Sequence, residues 1–492
     1  MIARYCCRSS ALRPKLFQAF IWSSRLAALR TGLATLDLKM VYCNTLINVN
    51  LSHVPSEKET LNGGLTTSLL AGVVCFMLCC NSPVRAQDHP NLADTTECVQ
   101  SDLPDILREA FRRPPKLPTN KSGSVLLIPI IGSNPATGFM FGVGGQYAFK
   151  LTGQDTRYSM LAGSVQGTSK KQMLLLLKNN IYTKNNNIFL TGDWRYLIFS
   201  QNTYGLGTNS PEGGILDQQF SLAGMETSAD SLAQPMNFNF LRFYQSVSFQ
   251  LRPSFYLGVG YFLDYYFKIR DERLRLNPGD TLLTSHYAYN THYGFDLNKY
   301  QSSAINLNLI YDSRDNMINP YRGQYVMINW SGAMKWMGNK KNGSFLTVEW
   351  RSFYPLSARN PRHLMSFWLL GNFTPTGEFP YMILPATAYD QRSRSARGYT
   401  QGRFRGNNMV YGEAEYRFPL SGCTGVWGGV LFLNATTADN PALSLPLFGS
   451  IKPGYGLGLR VMVDKKTRTN LAIDVGFGNR SSGFYLAASE TF

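Results

Sequence analysis

The chain has 492 residues, of which 44% are hydrophobic, 13% are aromatic and 16% are charged, and its net charge is +17. So little charge is unusual for a soluble protein of this length, and a mean hydropathy of -0.17 is too low for a bundle of membrane helices. Strands that alternate apolar residues facing lipid with polar residues facing a lumen are compatible with both values. The basic charge favours anionic lipid over nucleic acid as a partner, so we expect no nucleic acid.

The first 86 residues are typical of targeting rather than of a fold. Leu65–Cys80 is an apolar stretch of sixteen residues. It is shorter than the roughly 20 residues that a membrane helix needs, but suits the apolar core of a signal peptide. Val84 and Ala86 then supply the small residues of a cleavage site. We therefore expect residues 1–86 to be a non-mature N-terminal extension with a signal peptide. The alternative is a lipoprotein acylated at a cysteine at the end of the apolar stretch.

Residues 87–122 predict a linker with one short helix. Ser101 or Asp102 can cap its start, it runs through Arg113, and two prolines end it. Its apolar face comprises Leu103, Ile106, Leu107, Ala110 and Phe111. It is either a plain linker helix or one that tucks into the domain that follows.

Residues 123–492 alternate apolar and polar side chains over segments of about ten residues, which is typical of membrane strands. The segments Phe139–Phe149, Ile305–Tyr311 and Ile473–Phe477 show it most clearly. Aromatic residues gather near the strand ends, as membrane interfaces require. The sequence also predicts a last strand from Phe484 through Phe492, where a terminal aromatic would act as a C-terminal assembly signal.

Turn-forming residues place the connections between these strands. Three consecutive asparagines at 185–187 predict a tight hairpin, whereas residues 201–234 and 374–408 are long irregular stretches that predict loops. One of these connections contains a motif of three parts: the end of a strand, a turn that contains a proline, and a glycine that opens the next strand. Its residues are Asp312, Arg314, Asp315, Pro320 and Gly323.

A second motif, Arg397-Gly398-Tyr399, lies in the long loop and is followed by a strand that reads YGEAEYRFPL. Together with the turn motif and the glycine-rich segment Gly454–Arg460, it resembles the BamA/TamA family of outer-membrane barrels, of the bacterial surface antigen type. The resemblance covers most of residues 123–492. It implies an all-β fold, a transmembrane antiparallel β-barrel of 16 strands with a short N-terminal helix, in the cell outer membrane of a Gram-negative bacterium. Residues 87–122 would then be a periplasmic linker.

The loop motif suggests a loop-motif lock inside the barrel. Glu413, Glu415 and Arg417 share one face of their strand, and this face must be lumenal, because a basic charge such as that of Arg417 costs roughly 2–4 kcal/mol at the bilayer midplane. Arg397 can donate two parallel hydrogen bonds to either carboxylate. The resemblance implies an acidic partner on the next strand, where this chain has the neutral Asn434. We therefore expect a glutamate as the partner; the alternative is an arginine exposed in a surface loop.

The resemblance implies a function in insertion, assembly or export of a protein or lipid client at the outer membrane. The implied partners are outer-membrane lipid, a periplasmic accessory protein and the client. Members that assemble proteins have POTRA modules before the barrel, and residues 87–122 are too few for one, so we expect a barrel-only variant. The alternative is a passive pore or structural barrel.

The sequence does not predict an enzyme. It has no Gly-x-Ser-x-Gly elbow and no His-Glu-x-x-His motif. His286 and His292 would lie on the same face of a predicted strand, where we expect them to be side chains of the barrel wall rather than catalytic groups. Cys98 and Cys423 lack metal-ligand spacing, so we expect neither a metal site nor a cofactor.

Overall fold

The computed structural model describes residues 100–114, 123–134, 138–151, 156–209, 233–358, 360–422, 424–441 and 444–492. All of them belong to one compact unit, Asp94–Phe492. The predicted signal peptide, its cleavage after Ala86 and most of the predicted linker lie outside the described residues. Within these ranges, no helix is long and apolar enough to cross a membrane.

Sixteen antiparallel strands form one sheet, and each of them pairs with the next of the sixteen along the chain. This confirms the predicted antiparallel barrel of 16 strands. A small hairpin, β8–β9, lies in the connection between β7 and β10. The strands are β1 Gly123–Asn134, β2 Gly138–Phe149, β3 Ser159–Thr168, β4 Met173–Tyr182, β5 Ile188–Thr203, β6 Gln234–Arg252, β7 Phe255–Asp271, β8 Arg275–Asn277, β9 Asp280–Leu282, β10 Tyr300–Asp312, β11 Gly323–Ala333, β12 Gly343–Pro355, β13 Leu364–Thr376, β14 Asn408–Pro419, β15 Trp427–Ala438, β16 Lys452–Asp464, β17 Thr469–Gly478 and β18 Ser481–Ala488.

The barrel is nearly closed. β1 pairs only with β2 and β18 pairs only with β17, so among the described residues no ladder joins the first strand to the last. A side-chain hydrogen bond from Nε2 of Gln146 on β2 to the Thr469 hydroxyl on β17, at 3.4 Å, links the two ends of the sheet inside the barrel. We call the gap between β1 and β18 the seam.

Side chains alternate between the two faces of the wall, as predicted. On β10, Ile305, Leu307 and Leu309 are exposed on the outer face, whereas Asn306 and Asn308 are buried on the lumenal face. The apolar outer face meets lipid and the polar inner face lines the lumen, since this arrangement keeps polar groups out of the hydrocarbon.

The last strand is shorter than predicted. Phe484 and Leu486 point outward, so Glu490 would face lipid if β18 continued to Phe492. The strand instead ends at Ala488, and Ser489 takes a φ of +105° that turns the chain away from the wall. The prediction of a strand through Phe492 is therefore wrong, because the chain turns inward to where Arg460 and Asn470 bind the Glu490 carboxylate.

The described residues contain two α-helices, one at each end of the barrel. α1 (Leu103–Ala110) begins after Asp102, whose carboxylate accepts a hydrogen bond from the N–H of Asp105 at 3.2 Å. It ends three residues before the predicted Arg113, because Arg112 adopts a φ of +51°. α1 packs against β16, and Lys465 in the β16–β17 turn binds Asp105 at 2.7 Å. The helix is thus attached to the short turns at one end of the barrel.

The second helix, α2 (Ser285–Tyr293), corrects the prediction of a strand at His286 and His292. The Thr284 hydroxyl caps its start and Gly294, with a φ of +70°, ends it. α2 lies in the β7–β10 connection, on the same end of the barrel as the long β13–β14 loop. In outer-membrane barrels, long loops face the outside.

An apolar cluster covers this long-loop end. It joins α2 and the turn at Tyr381–Ile383 with the first residues of β6 and β10 and the last residues of β7. Arg405 stabilises the turn, since its Nη1 donates to the carbonyl oxygens of Tyr381, Met382 and Leu384 at 2.9 to 3.0 Å. We call this the outer cap.

Candidate functional site

The β13–β14 loop, residues 377–407, folds into the barrel rather than over it. Arg397, at the centre of the predicted motif, is 1% exposed, and its side chain contacts β14, β15 and β17. The structure therefore does not support the alternative of an arginine exposed in a surface loop.

The guanidinium of Arg397 binds Glu413 through two hydrogen bonds. Nη2 donates to Oε1 at 2.6 Å and Nε donates to Oε2 at 3.1 Å. Tyr411 supports the same carboxylate, because its hydroxyl donates to Oε2 at 2.5 Å. The pair has the fork geometry that makes an arginine–carboxylate contact strong and directional.

Two further carboxylates complete the surroundings of Arg397. Nη2 also donates to Glu415, and Nη1 donates to Oδ2 of Asp474 on β17 at 2.9 Å. The guanidinium lies 3.7 Å from the ring centroid of Phe432. We call Glu413, Glu415 and Asp474 the carboxylate cage. The structure thus brings Arg397 to both glutamates named from the sequence and adds a partner that the sequence reasoning missed.

The rest of the motif fixes the loop to the C-terminal strands. The N–H of Gly398 donates to the Tyr485 hydroxyl on β18 at 2.9 Å, and the Tyr399 hydroxyl donates to the carbonyl oxygen of Pro453 at 2.6 Å. Asn434 donates from Nδ2 to the carbonyl oxygen of Arg397 at 3.0 Å. Asn434 therefore contacts the loop backbone rather than the guanidinium.

The cage belongs to a larger ionic network. Asp474 accepts from Nη1 of Arg460 at 2.5 Å, and Arg460 Nε donates to Glu490 at 2.7 Å. On the other side, Glu415 accepts from Nε of Arg417 at 2.8 Å. These charges are buried inside the barrel, where an unpaired charge would be costly, and each is paired with a neighbour of opposite charge. The lumenal parity of Glu415, Arg417, Arg460 and Asp474 was readable from the sequence, but the inward position of Glu490 and the pairing of these charges were not.

The loop also reaches the seam. Nη2 of Arg394 donates to the carbonyl oxygen of Leu486 on β18 at 3.1 Å, and its guanidinium lies 5.1 Å from the Tyr485 ring centroid. Nη1 of Arg392 lies 3.4 Å from the carbonyl oxygen of Glu490. The loop is therefore in direct contact with the strand that borders the seam.

The predicted turn motif lies at the short-turn end, between β10 and β11. Asp312 is buried and accepts from Nε of Arg314 at 3.0 Å and from the Tyr182 hydroxyl at 2.7 Å. Asp315 accepts from the N–H of Tyr321 at 3.0 Å and pairs with Arg468 of the β16–β17 turn at 2.6 Å.

Gly323 has a φ of +99°, and a Cβ there would lie 2.4 Å from the carbonyl oxygen of Ser313. Pro320 is buried in the same turn. The motif thus joins the turn to β4 and to the β16–β17 turn. It lies at the opposite end of the barrel from the outer cap.

Comparisons with known proteins found a matching family model and similar solved structures. A sequence model of the Omp85 superfamily domain matches residues 246–492. Among solved structures, the chain is similar to BamA from Haemophilus ducreyi lacking POTRA domains 1–3, with 14% identity and a TM-score of 0.43 over 75% of this chain and 70% of that one. It is also similar to CdiB from Acinetobacter baumannii, with 12% identity and a TM-score of 0.42 over 76% of this chain and 60% of that one. No curated protein matches the sequence.

The domain match begins in β6 and contains both motifs on which the predicted family resemblance rests. It covers half of the chain and confirms that prediction. The chain is a β-barrel of the outer membrane and belongs to the Omp85 superfamily.

Proposed function

We propose that this barrel inserts, assembles or exports a protein or lipid client at the outer membrane, together with a periplasmic accessory protein. The observation that carries the proposal is the unpaired seam, next to which the loop with Arg397 is fixed inside the lumen. A strand edge with free N–H and C=O groups is a template for another strand, so the seam offers a client a place to pair.

The composition of β1 supports this proposal. Val125 and Leu127 are exposed on its outer face, and the inward positions Leu126 and Ile128 are apolar too. Pro129 lies in the middle of the strand and pairs with Val143 of β2. A proline cannot donate to a ladder and is found at sheet edges, so β1 is suited to remain an edge strand.

The alternative, a passive pore, requires a lumen open from end to end. In this structure the β13–β14 loop occupies the lumen and the outer cap covers the long-loop end. Steady ion conduction by the purified wild-type barrel in a planar bilayer would favour the pore.

The proposal is tested by closing the seam covalently. Cysteine pairs are scanned between lumen-facing positions of β1, such as Leu126 and Ile128, and Gly483 or Ala487 of β18, in a chain without native cysteines. The matched control is a pair at Ser164 and Leu176, which already face each other across the β3–β4 ladder.

The assay follows the folding of a small urea-unfolded β-barrel into liposomes that contain the purified protein. We expect the parent protein to accelerate this folding. Oxidation of a seam pair should abolish the acceleration and reduction should restore it, whereas oxidation of the control pair should have no effect. Full acceleration with the seam cross-linked would contradict the proposal.

A further inference from the structure

The last four residues form a tail that enters the lumen. Pairing between β18 and β17 ends at Ala488, and one further backbone hydrogen bond joins the N–H of Ser489 to the carbonyl oxygen of Asn470 at 2.7 Å, so residues 490–492 contribute nothing to the barrel wall. Glu490, Thr491 and Phe492 are nevertheless 4%, 4% and 1% exposed. Since no strand pairing holds them, side-chain contacts account for their burial.

Both oxygens of the Glu490 carboxylate are bound by the wall. Oε2 accepts from Nε of Arg460 at 2.7 Å and lies 3.9 Å from Nε of Arg417. Oε1 accepts from Nδ2 of Asn470 at 2.6 Å. The donors come from β14, β16 and β17, and the geometry is that of a specific carboxylate site.

The ring of Phe492 occupies an aromatic pocket two residues further on. Its centroid lies 5.4 Å from that of Trp368 and 6.1 Å from that of Phe353, both buried on the lumenal face. The guanidinium of Arg417 lies 5.3 Å from the same ring, and its Nη2 donates to the carbonyl oxygen of Phe492 at 3.2 Å. Arg417 thus contacts both anchors of the tail.

We propose that this pocket, formed by Phe353, Trp368, Arg417, Arg460 and Asn470, is a binding site for a peptide segment with a carboxylate two residues before an aromatic side chain. The tail is its intramolecular ligand. An extended client segment with the same spacing can replace residues 490–492 without opening the wall, because these residues belong to no ladder. The proposal rests on the proposed function for the identity of the client.

The pocket is connected to the loop through the same arginines. Arg460 holds Asp474 and Arg417 holds Glu415, and both carboxylates belong to the cage around Arg397. A ligand that replaces the tail therefore binds Arg417 and Arg460, and each of these is separated from the Arg397 guanidinium by a single shared carboxylate. Binding of a client strand in the pocket and the position of the loop are thus physically coupled.

The test uses a fluorescein-labelled peptide, Ala-Ser-Glu-Thr-Phe with an amidated C-terminus, and fluorescence anisotropy. Three proteins are refolded from urea into detergent and checked for heat-modifiability: the parent, a chain ending at Ala488, and full-length Glu490→Gln/Phe492→Ala. The full-length double variant keeps the test valid if the shortened chain does not fold. The control peptides carry Gln in place of Glu, or Ala in place of Phe.

The tethered tail has a high effective concentration, so the parent should bind the peptide at least about tenfold more weakly than either variant. Each control peptide should lose about tenfold or more in affinity, since it lacks one of the two anchors. Absence of binding to both variants, or equal binding of the control peptides, would overturn the proposal. Because this assay requires no client insertion, its failure is distinguishable from failure of the seam experiment.

Discussion

Arg397 and Glu413 share two parallel hydrogen bonds, with Nη2 2.6 Å from Oε1 and Nε 3.1 Å from Oε2. The contact joins a loop residue to a strand sixteen positions further along the chain. Since Glu415 and Asp474 bind the same guanidinium, one loop side chain holds together three carboxylates of the inner wall.

Replacement of Arg397 by Ala should release the loop and destabilise the barrel. The cage would keep three buried carboxylates without their shared cation, and breaking a buried ion pair costs roughly 3–5 kcal/mol. Arg397→Lys should recover little of this, because a point charge cannot replace the planar fork. The temperature of the heat-induced gel shift and trypsin cleavage within residues 377–407 measure both effects.

The matched control for this prediction is Lys341→Ala. Lys341 forms a half-exposed ion pair with Glu378 at the long-loop end, and such pairs contribute about 0–1 kcal/mol. A charge swap, Arg397→Glu with Glu413→Arg, should not rescue the loop, because the new glutamate would face Glu415 and Asp474. Parent-like protease resistance of Arg397→Lys would argue against the fork as the reason for the pinned loop.

Asn434→Asp should destabilise the loop, although related barrels are expected to have an acidic residue at this position. The Asn434 amide donates to the carbonyl oxygen of Arg397, and an aspartate would place a carboxylate against that oxygen and opposite Glu413. Asn434→Ala loses the hydrogen bond, about 1 kcal/mol, without the repulsion. In urea titrations of the refolded barrel, the Asp variant should therefore unfold before the Ala variant; the reverse order would refute the prediction.

Gly398→Ala should displace the loop from the wall. Gly398 has a φ of +103°, and an added Cβ would lie 2.7 Å from the backbone carbonyl carbon and oxygen of Phe477. Neither backbone can give way cheaply, so loss of the Gly398–Tyr485 hydrogen bond is expected. Gly412→Ala is the control, since its Cβ would meet nothing closer than 3.9 Å. Protease cleavage of the loop should rise in the first variant alone.

The outer cap should loosen in acid through His286. Burial, together with the nearby charge of Arg405, lowers the pKa of His286 from 6.5 to about 3. Its Nε2 lies 3.2 Å from the Tyr300 hydroxyl and 3.0 Å from Nδ2 of Asn290. A histidine whose pKa is lower in the folded state stabilises the fold fully above pH 6.5, and this contribution falls as the pH drops toward 3.

Between pH 6.5 and pH 5 the loss should be about 2 kcal/mol, at 1.36 kcal/mol per pH unit. Hydrogen exchange of α2 at the two pH values measures it. His286→Gln should remove most of the dependence, whereas the same change at the exposed His292 should not. An equal pH response in the parent and in His286→Gln would show that other groups control the cap.

The sequence by itself determined which face of each strand meets lipid. Because side chains alternate with a period of two and a charge at the bilayer midplane is costly, Glu413 and Glu415 had to face the lumen. The same two facts apply to Asp474 and Arg460, whose parity was already visible. The sequence also predicted that Gly323 opens the strand after the turn motif and that Ser101 or Asp102 caps the short helix, and Asp102 forms the cap.

Only the tertiary structure decided which lumenal groups meet. Asp474 is 77 residues from Arg397, and it becomes a partner because the curvature of the wall lets the loop arginine reach both β14 and β17, which β15 and β16 separate in the sheet. Asn434 binds the loop backbone, and Glu490 turns inward with Phe492, for the same reason. Alternation is a property of one strand, whereas the meeting of charges across a lumen depends on the path of the loop and the curvature of all sixteen strands, which no local pattern records.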